Sequence, residues 1–525
     1  MSPSAPRLRR HRPARYALWA SLLVLAACGG GGSGGSTSTT APTGWTAGVF
    51  QPSSHFAAQC QNPRSGTDPV SGDAYPDVQG TTLDENNWLR SWSNELYLWY
   101  SEIPDMNPAS YATTAAYFDV LKTAATTSTG TPKDHFHFTY DTSVWEQLSQ
   151  SGNDVGYGVD FDLVSAAPPR VVYVALVWSG YAAAAANISR GAQVLAIDGV
   201  DMANGSDVAT LNAGLYPSTA GESHLFTILD PGSSTSRMVT LQASNETETP
   251  VPLVSTIPTG SGPVGYILFN AHIATSEQEL IDAITQLKAA AVTDLVLDIR
   301  YNGGGYLDIA SELAYMVAGP VPTAGATFQK QTFNSKYPST NPVSGTALIP
   351  TPFHTSSQGF SGPSGVNLPY LALPRVFVLT GPGTCSASEA IINGLDGVNV
   401  QVIQIGTTTC GKPYGFYPQD NCGTTYFSIE FSGDNAKGFG DYADGFSPQN
   451  SATPTNAVLP GCSTADDYTH QLGDPAEGRL AAALGYRNGQ ACPTPPAGIA
   501  APALLHSKAA LHKPFWRENQ ITHRR

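Results

Sequence analysis

Two residues of this 525-residue chain, Ser386 and Lys412, have surroundings suited to covalent chemistry. A serine hydroxyl becomes a nucleophile when a neighbouring base takes its proton, and an uncharged lysine amine is one such base. Ser386 follows the apolar run Arg375–Thr380, across the break Gly381-Pro382-Gly383, and opens a helical stretch that continues through Gly394. Main-chain N–H groups point outward at such a junction, so an anion forming there is stabilised by the helix end. Lys412 closes the next apolar run, Val400–Ile405, at the end of Gly-Thr-Thr-Thr-Cys-Gly-Lys. At the tip of a neighbouring strand it would come within reach of the serine. The residues also admit a plainer reading, because Ser386-Ala-Ser-Glu389 has the spacing of a capping box that only satisfies helix donors.

The elements that must position this pair begin near Gly262. Val264–Phe269 reads as a strand, and Ser276 with Glu279 opens a helix whose Leu280, Ile281, Ile284 and Leu287 fall on one face. Asp294–Arg300 is a second strand running into Tyr301-Asn302-Gly303-Gly304-Gly305. Strand, helix, strand at this spacing implies parallel pairing through right-handed crossovers. Tyr306–Ala318 is helical, and 320–373 reads as one long loop of the kind that forms a lid. Upstream, Trp88, Leu89, Trp92, Leu96 and then Tyr111, Tyr117, Phe118 and Leu121 recur near helical period, which predicts a helical domain over 79–150. Within it His135 and His137 lie two apart, on one face if the segment is extended, but no further ligand set accompanies them and no metal site is expected.

Ser386-Ala387-Ser388-Glu389 followed by Thr409-Cys410-Gly411-Lys412 resembles the paired motifs of the C-terminal processing (tail-specific) serine peptidases. Asp298-Ile-Arg300-Tyr-Asn302-Gly-Gly-Gly305 resembles the glycine-loop motif of the same family. The resemblance implies Ser386 as nucleophile, Lys412 as general base, and the N–H groups of Gly304 and Ala387 as oxyanion hole. Tricorn-like relatives use a histidine from the amino-terminal region instead, which makes His135 or His137 the alternative base. Four residues after the lysine many relatives carry a glutamine; this chain has Phe416, with Gln419 nearby. Val155-Gly-Tyr-Gly-Val-Asp160 and Gly191-Ala-Gln-Val-Leu-Ala-Ile-Asp-Gly199 resemble the binding loop and hairpin of a PDZ domain, which accepts a peptide as an added strand. Peptide binding and a rigid spacer are both open for that domain.

The implied fold is α/β: a crotonase/ClpP-like ββα-type core over 249–495, an inserted PDZ-like β-rich domain over 151–248, and the helical cap before it. The implied activity is an exported serine endopeptidase acting on polypeptides, possible C-terminal tails among them, without a cofactor. The alternative is an inactive peptide- or ligand-binding lipoprotein on the same fold.

The amino terminus reads as a leader. Arginines from Arg7 to Arg15 precede the apolar run Tyr16–Ala27, too short to span a bilayer, so 1–27 is a signal peptide. Leu25-Ala26-Ala27-Cys28 resembles a bacterial lipoprotein box with Cys28 lipidated, and Gly29–Thr43 suits a tether within an irregular lead-in, 28–78. Membrane anchoring at the outer membrane, facing periplasm or cell surface, follows from that reading. Net charge of −15 argues against nucleic acid as a partner. Six further cysteines in an exported chain invite disulfides; Cys410–Cys422 and Cys462–Cys492 are the expected pairs, with Cys60 competing for either. The basic tail, 496–525, is expected to be loosely held.

Overall fold

The computed structural model describes residues 45–69, 71–496, 510–511 and 520–522. The expected signal peptide, Cys28 and the whole Gly29–Thr43 tether lie outside the described residues. The central sheet has six strands in sequence order: β1 (Leu253–Ile257), β2 (Val264–Leu268), β3 (Asp294–Asp298), β4 (Arg375–Thr380), β5 (Gln401–Gly406) and β6 (Gly461–Ser463). β1 runs antiparallel to β2, and every later neighbour is parallel. Crossovers are made by α1 (Ser276–Ala289) from β2 to β3, α2 (Leu307–Ala318) before β4, and α3 (Ala387–Gly397) from β4 to β5, while α4 (Gly478–Arg487) follows β6.

The strands read as unbroken apolar runs because both faces are covered. Leu295, Leu297, Val376, Val378 and Val402 pack with Leu280, Ile284, Leu313 and Ile391 of α1, α2 and α3. Their alternates Val296, Phe377, Leu379, Ile403 and Ile405 pack with Leu480 and Ala483 of α4. The period-2 alternation therefore assigns each residue to one helix layer or the other.

Residues 159–242 build a second six-stranded sheet, flanked by the two-stranded pair Asn153–Gly156 and Ser244–Thr247. Its main path runs from Arg237–Gln242 through Ser223–Leu229, Gln193–Ile197 and Val171–Val177 to Val159–Ser165, and Val208–Leu215 is its longer helix. The amino-terminal stretch forms helices Thr82–Leu96, Thr114–Phe118 and Thr142–Ser151. Thr81 and Asp84 cap the first with a complete capping box. Trp88, Leu89 and Trp92 meet Tyr117, Phe118 and Tyr426 in one aromatic cluster. Phe138–Asp141 pairs antiparallel with Thr424–Phe427, so this region is tied to chain that follows Lys412.

Three expectations need correction. The stretch 320–373 is not one loop: Thr327–Phe333 is a strand paired with Phe431–Asp434. Its buried Phe328 and Phe333 are separated by polar residues that hid the pattern. The disulfides are Cys60–Cys422, Cys385–Cys410 and Cys462–Cys492. Cys410 therefore bonds to Cys385 rather than to Cys422, because parallel β4 and β5 bring the segments after them side by side. Sequence proximity pointed to the wrong partner. The tail also returns to the core over part of its length, where Gln520–Thr522 pairs in parallel with Gly304–Tyr306.

Candidate active site

β4 delivers Ser386 through a turn welded to the end of β3. Thr384 Oγ1 donates to Ile299 O at 2.8 Å and accepts from Gly381 N at 3.0 Å. Cys385 N and Ser388 Oγ both donate to Asn302 O, at 3.1 and 3.0 Å. At the junction Ser386 has φ 68 and ψ −117, a conformation that costs a non-glycine residue about 1–3 kcal/mol and persists only where the surroundings over-determine it. Both halves of the capping box are in place: Ser386 N donates to Glu389 Oε2 at 3.0 Å, and the Ser386 side chain faces the Glu389 N–H. The fully buried Ser386 Oγ nevertheless completes no hydrogen bond.

Lys412 arrives from β5 and is held by the same carboxylate. Glu389 Oε2 accepts from Lys412 N at 2.8 Å, and Oε1 accepts from Gly411 N at 2.8 Å and from Thr409 Oγ1. One oxygen thus fastens the main chain at both Ser386 and Lys412. Burial pushes the Glu389 carboxyl up, and these hydrogen bonds oppose the shift. Gly411 makes the approach with φ 85, where a Cβ would sit 2.3 Å from Ala443 O.

The Lys412 side chain is fully buried, and its Nζ has no hydrogen-bond partner. It lies 4.1 Å from the ring centre of Phe416 and 5.0 Å from that of Phe136. Burial pushes its pKa down to about 7, against the opposing pull of Asp134 and Glu389. That is the range in which an amine accepts a proton efficiently at neutral pH. Phe416 therefore supplies an aromatic face to the amine where relatives were expected to offer an amide. The Ser386 hydroxyl and Lys412 amine are both unpartnered, so they make no hydrogen bond with each other here.

The two expected oxyanion donors differ. Ala387 is the first residue of α3, and the helix itself makes no use of an N–H at that position. Gly304 N instead donates to Asn302 Oδ1 at 3.0 Å. Asn302 is anchored by its Nδ2 on Phe269 O at 3.0 Å and by His272 Nδ1, 3.0 Å from Oδ1. His272 was missed in the sequence, where it stands alone after Val264–Phe269. It is fully buried, burial pushes its pKa down to about 3, and its main chain brackets the glycine loop. His272 N donates to Gly304 O at 3.0 Å and Tyr306 N donates to His272 O at 2.8 Å. Gly305, at φ 139, leaves no room for a Cβ, which would lie 2.3 Å from His272 O.

Arg300, one residue pair before that loop, is fully buried and holds three carboxylates. Its Nε and Nη2 donate to Asp298, and its Nη1 donates to Asp466 at 2.7 Å and Glu477 at 2.8 Å. Arg190, from the second sheet's region, donates to Asp466 at 2.6 Å and to Tyr301 Oη at 2.8 Å. Asp466 thus contributes to a charge network that fixes the base of the glycine loop, while the Asp467 carboxylate bonds Thr469, His470 and Gly478 N instead. Paired charges of this kind are costly to break singly.

Neither histidine offered as alternative base faces an open partner. His137 Nε2 lies 2.9 Å from Phe118 O, its Nδ1 lies 3.7 Å from Asp134, and its ring stacks on Phe118. Burial pushes His137 down to about 4. His135 Nδ1 lies 2.9 Å from Pro132 O, and its ring packs on Phe136. Among the described residues, the one cluster of potential metal-ligand atoms is Cys385, Glu389 and Cys410, and its two sulfurs are bonded to each other.

Residues 263–415 match the model of peptidase family S41, and residues 84–140 match that of the peptidase S41 N-terminal domain. A carboxyl-terminal-processing protease of Picosynechococcus sp. is 28% identical over 273 residues, covering 51% of this chain and 56% of its own length. The chain thus spans little more than half of that curated relative. The crystal structure of an S41 protease candidate from Bacteroides fragilis superimposes with TM-score 0.54 at 23% identity, covering 79% of this chain and 98% of the other. That likeness speaks for the fold. A photosystem II D1 C-terminal processing protease aligns with TM-score 0.42 at 18% identity, over 73% of this chain and 94% of the other.

Proposed function

The chain carries the domains of peptidase family S41, and from that premise we propose that it is an exported serine endopeptidase working through Ser386 and Lys412. One observation carries the reading: Glu389 Oε2 accepts from the main-chain N–H of both residues, beside a buried lysine amine held near neutral pKa. In the proposed reaction Lys412 Nζ takes the Ser386 Oγ proton as the oxygen attacks the scissile carbonyl carbon. The oxyanion is received by Ala387 N–H and by Gly304 N–H, the latter exchanging Asn302 Oδ1 for substrate. Lys412 returns the proton to the leaving amine, and water then hydrolyses the acyl-serine by the same route in reverse. The amine and hydroxyl, both unpartnered in the free site, are drawn into contact when substrate binds, a tightening expected of apo sites.

The core sheet with its helix layers fits the crotonase/ClpP-like ββα type, and the 159–242 sheet with its two helices fits a PDZ-like domain. Within it Gly158 N, in the expected carboxylate-binding loop, donates to Glu246 Oε2 at 2.5 Å. An internal carboxylate on that donor favours the spacer reading over capture of C-terminal tails. Three disulfides accord with export to an oxidising compartment. Lipidation at Cys28, with anchoring at the outer membrane, completes the proposal.

A second reading, an inactive binding protein on the same fold, is favoured by the unmade Ser386–Lys412 contact and by Phe416 against the amine. Cleavage of a disordered protein decides between them. Activity that disappears in both Ser386→Ala and Lys412→Ala is expected, and no cleavage by the folded wild type would leave the binding reading standing.

A further inference from the structure

Cys385 immediately precedes Ser386 and Cys410 lies two residues before Lys412, and the two are joined with Cα atoms 5.2 Å apart. The linkage ties the nucleophile's turn to the base's strand end. Its neighbours reinforce that placement. Cys410 N donates to Thr384 O at 3.0 Å, and Cys385 is fully buried in the cluster that contains Phe416, the ring against Lys412 Nζ. Cys410 Sγ lies 3.4 Å from Glu389 Oε2, the oxygen that fastens both main-chain segments.

The other two disulfides have different work. Cys60–Cys422 joins segments 362 residues apart, and Cys462–Cys492 ties β6 to the chain after α4. Neither has a sulfur within two residues of Ser386 or Lys412. The segment closed by Cys385–Cys410 consists of α3 and β5, whose Ile391, Ile392, Leu395, Val402 and Ile405 are already buried in the core. Packing fixes those elements without help. The two loops projecting from them, 381–386 and 407–412, are held by the hydrogen bonds of Thr384 and Glu389, and the disulfide is the one covalent tie that joins them to each other. Ser386 occupies a positive-φ conformation that needs outside restraint to persist.

We propose that the Cys385–Cys410 disulfide is a positioning cross-link for Ser386 and Lys412, so that hydrolysis depends on its oxidised state. The inference rests on the Ser386–Lys412 reading above. Reduction by a dithiol is balanced: the reductant supplies two electrons and two protons, the S–S bond breaks, Cys385 and Cys410 become thiols, and the reductant leaves as its own disulfide. The half-buried Cys410 is the end open to attack. With the tether gone, the Ser386 turn relaxes and the strand end that carries Lys412 shifts relative to it.

The test compares the full chain with Cys385→Ala/Cys410→Ala and with the control Cys462→Ala/Cys492→Ala, using a disordered protein as substrate. The Cys385/Cys410 variant is expected to lose at least about tenfold in kcat with KM changed less than about twofold, and its ascending pH limb moves away from the wild-type position. The control keeps the wild-type kcat and limb. A second arm titrates the wild type with dithiothreitol and maps each opened bridge by alkylation and mass spectrometry. Activity is expected to fall as Cys385–Cys410 opens and to return on reoxidation, which keeps the test valid if the double variant misfolds. Wild-type kcat and an unmoved limb in Cys385→Ala/Cys410→Ala, or activity that survives opening of that bridge, overturns the proposal. Undiminished activity in Ser386→Ala would instead overturn the Ser386–Lys412 reading itself, and this inference with it.

Discussion

Replacing Lys412 by methionine should abolish activity and yet stabilise the fold. The amine is buried without a hydrogen-bond partner, and burial brings its pKa from the ordinary 10.5 to about 7. Between those two values the unfolded chain binds a proton that the native chain does not, so stability rises with pH across this window. The burden is fully present below about pH 7 and is gone above about 10.5. Worked through, the lysine costs the native state about 4 kcal/mol at pH 7 and about 2 kcal/mol at pH 9, relative to a side chain that never ionises. Methionine keeps the volume and the contacts with Phe136 and Phe416. Urea unfolding followed by tryptophan fluorescence at pH 6, 7, 8 and 9 measures the difference. The variant is expected to unfold at higher urea at pH 7, with the advantage shrinking as pH rises. A less stable Lys412→Met, or a pH-independent difference, would refute the placement of an uncharged buried amine.

Three further outcomes follow from neighbouring residues. Ser386→Gly removes the side chain that makes φ 68 costly, so it should raise stability by about 1 kcal/mol while eliminating turnover; thermal unfolding and a cleavage assay check both. Glu389→Gln puts an NH2 group against main-chain donors at Ser386 and Lys412 or at Gly411, which should cost about 3 kcal/mol and reduce kcat far more than KM. Glu246→Ala frees Gly158 N–H, and fluorescence anisotropy should then detect binding of a peptide with a free C-terminal carboxylate that the wild type does not bind.

The parallel core was legible because fully buried strands leave continuous apolar runs. Arg375–Thr380 is the strand that was read, and the runs at Val264 and Asp294 overshoot by one or two residues. Ser386 and Lys412 were legible only as members of paired motifs, since a serine at a helix start and a glycine-flanked lysine each have commoner explanations. The role of Glu389 was half visible: its spacing from Ser386 announced a cap, but its bonds to Gly411 and Lys412 join segments that only the fold brings together. The Cys385–Cys410 pairing was hidden for the same reason, as adjacency in a parallel sheet leaves no mark on spacing. His272 carried no signal at all: its main-chain bonds to Gly304 and Tyr306 could be made by any residue type, and its ring meets Asn302 across segments that only the fold brings together. Thr327–Phe333 escaped because a strand lying over a mixed surface need not alternate.

The central claim is that an uncharged Lys412 takes the proton of Ser386. The most direct measurement is the pH dependence of kcat/KM for cleavage of a disordered protein by the wild type, with Lys412→Ala and His137→Ala alongside. An ascending limb centred near pH 7, retained in His137→Ala and lost with all activity in Lys412→Ala, is the predicted result. Substantial cleavage by Lys412→Ala, or a limb that vanishes only in His137→Ala, would contradict it.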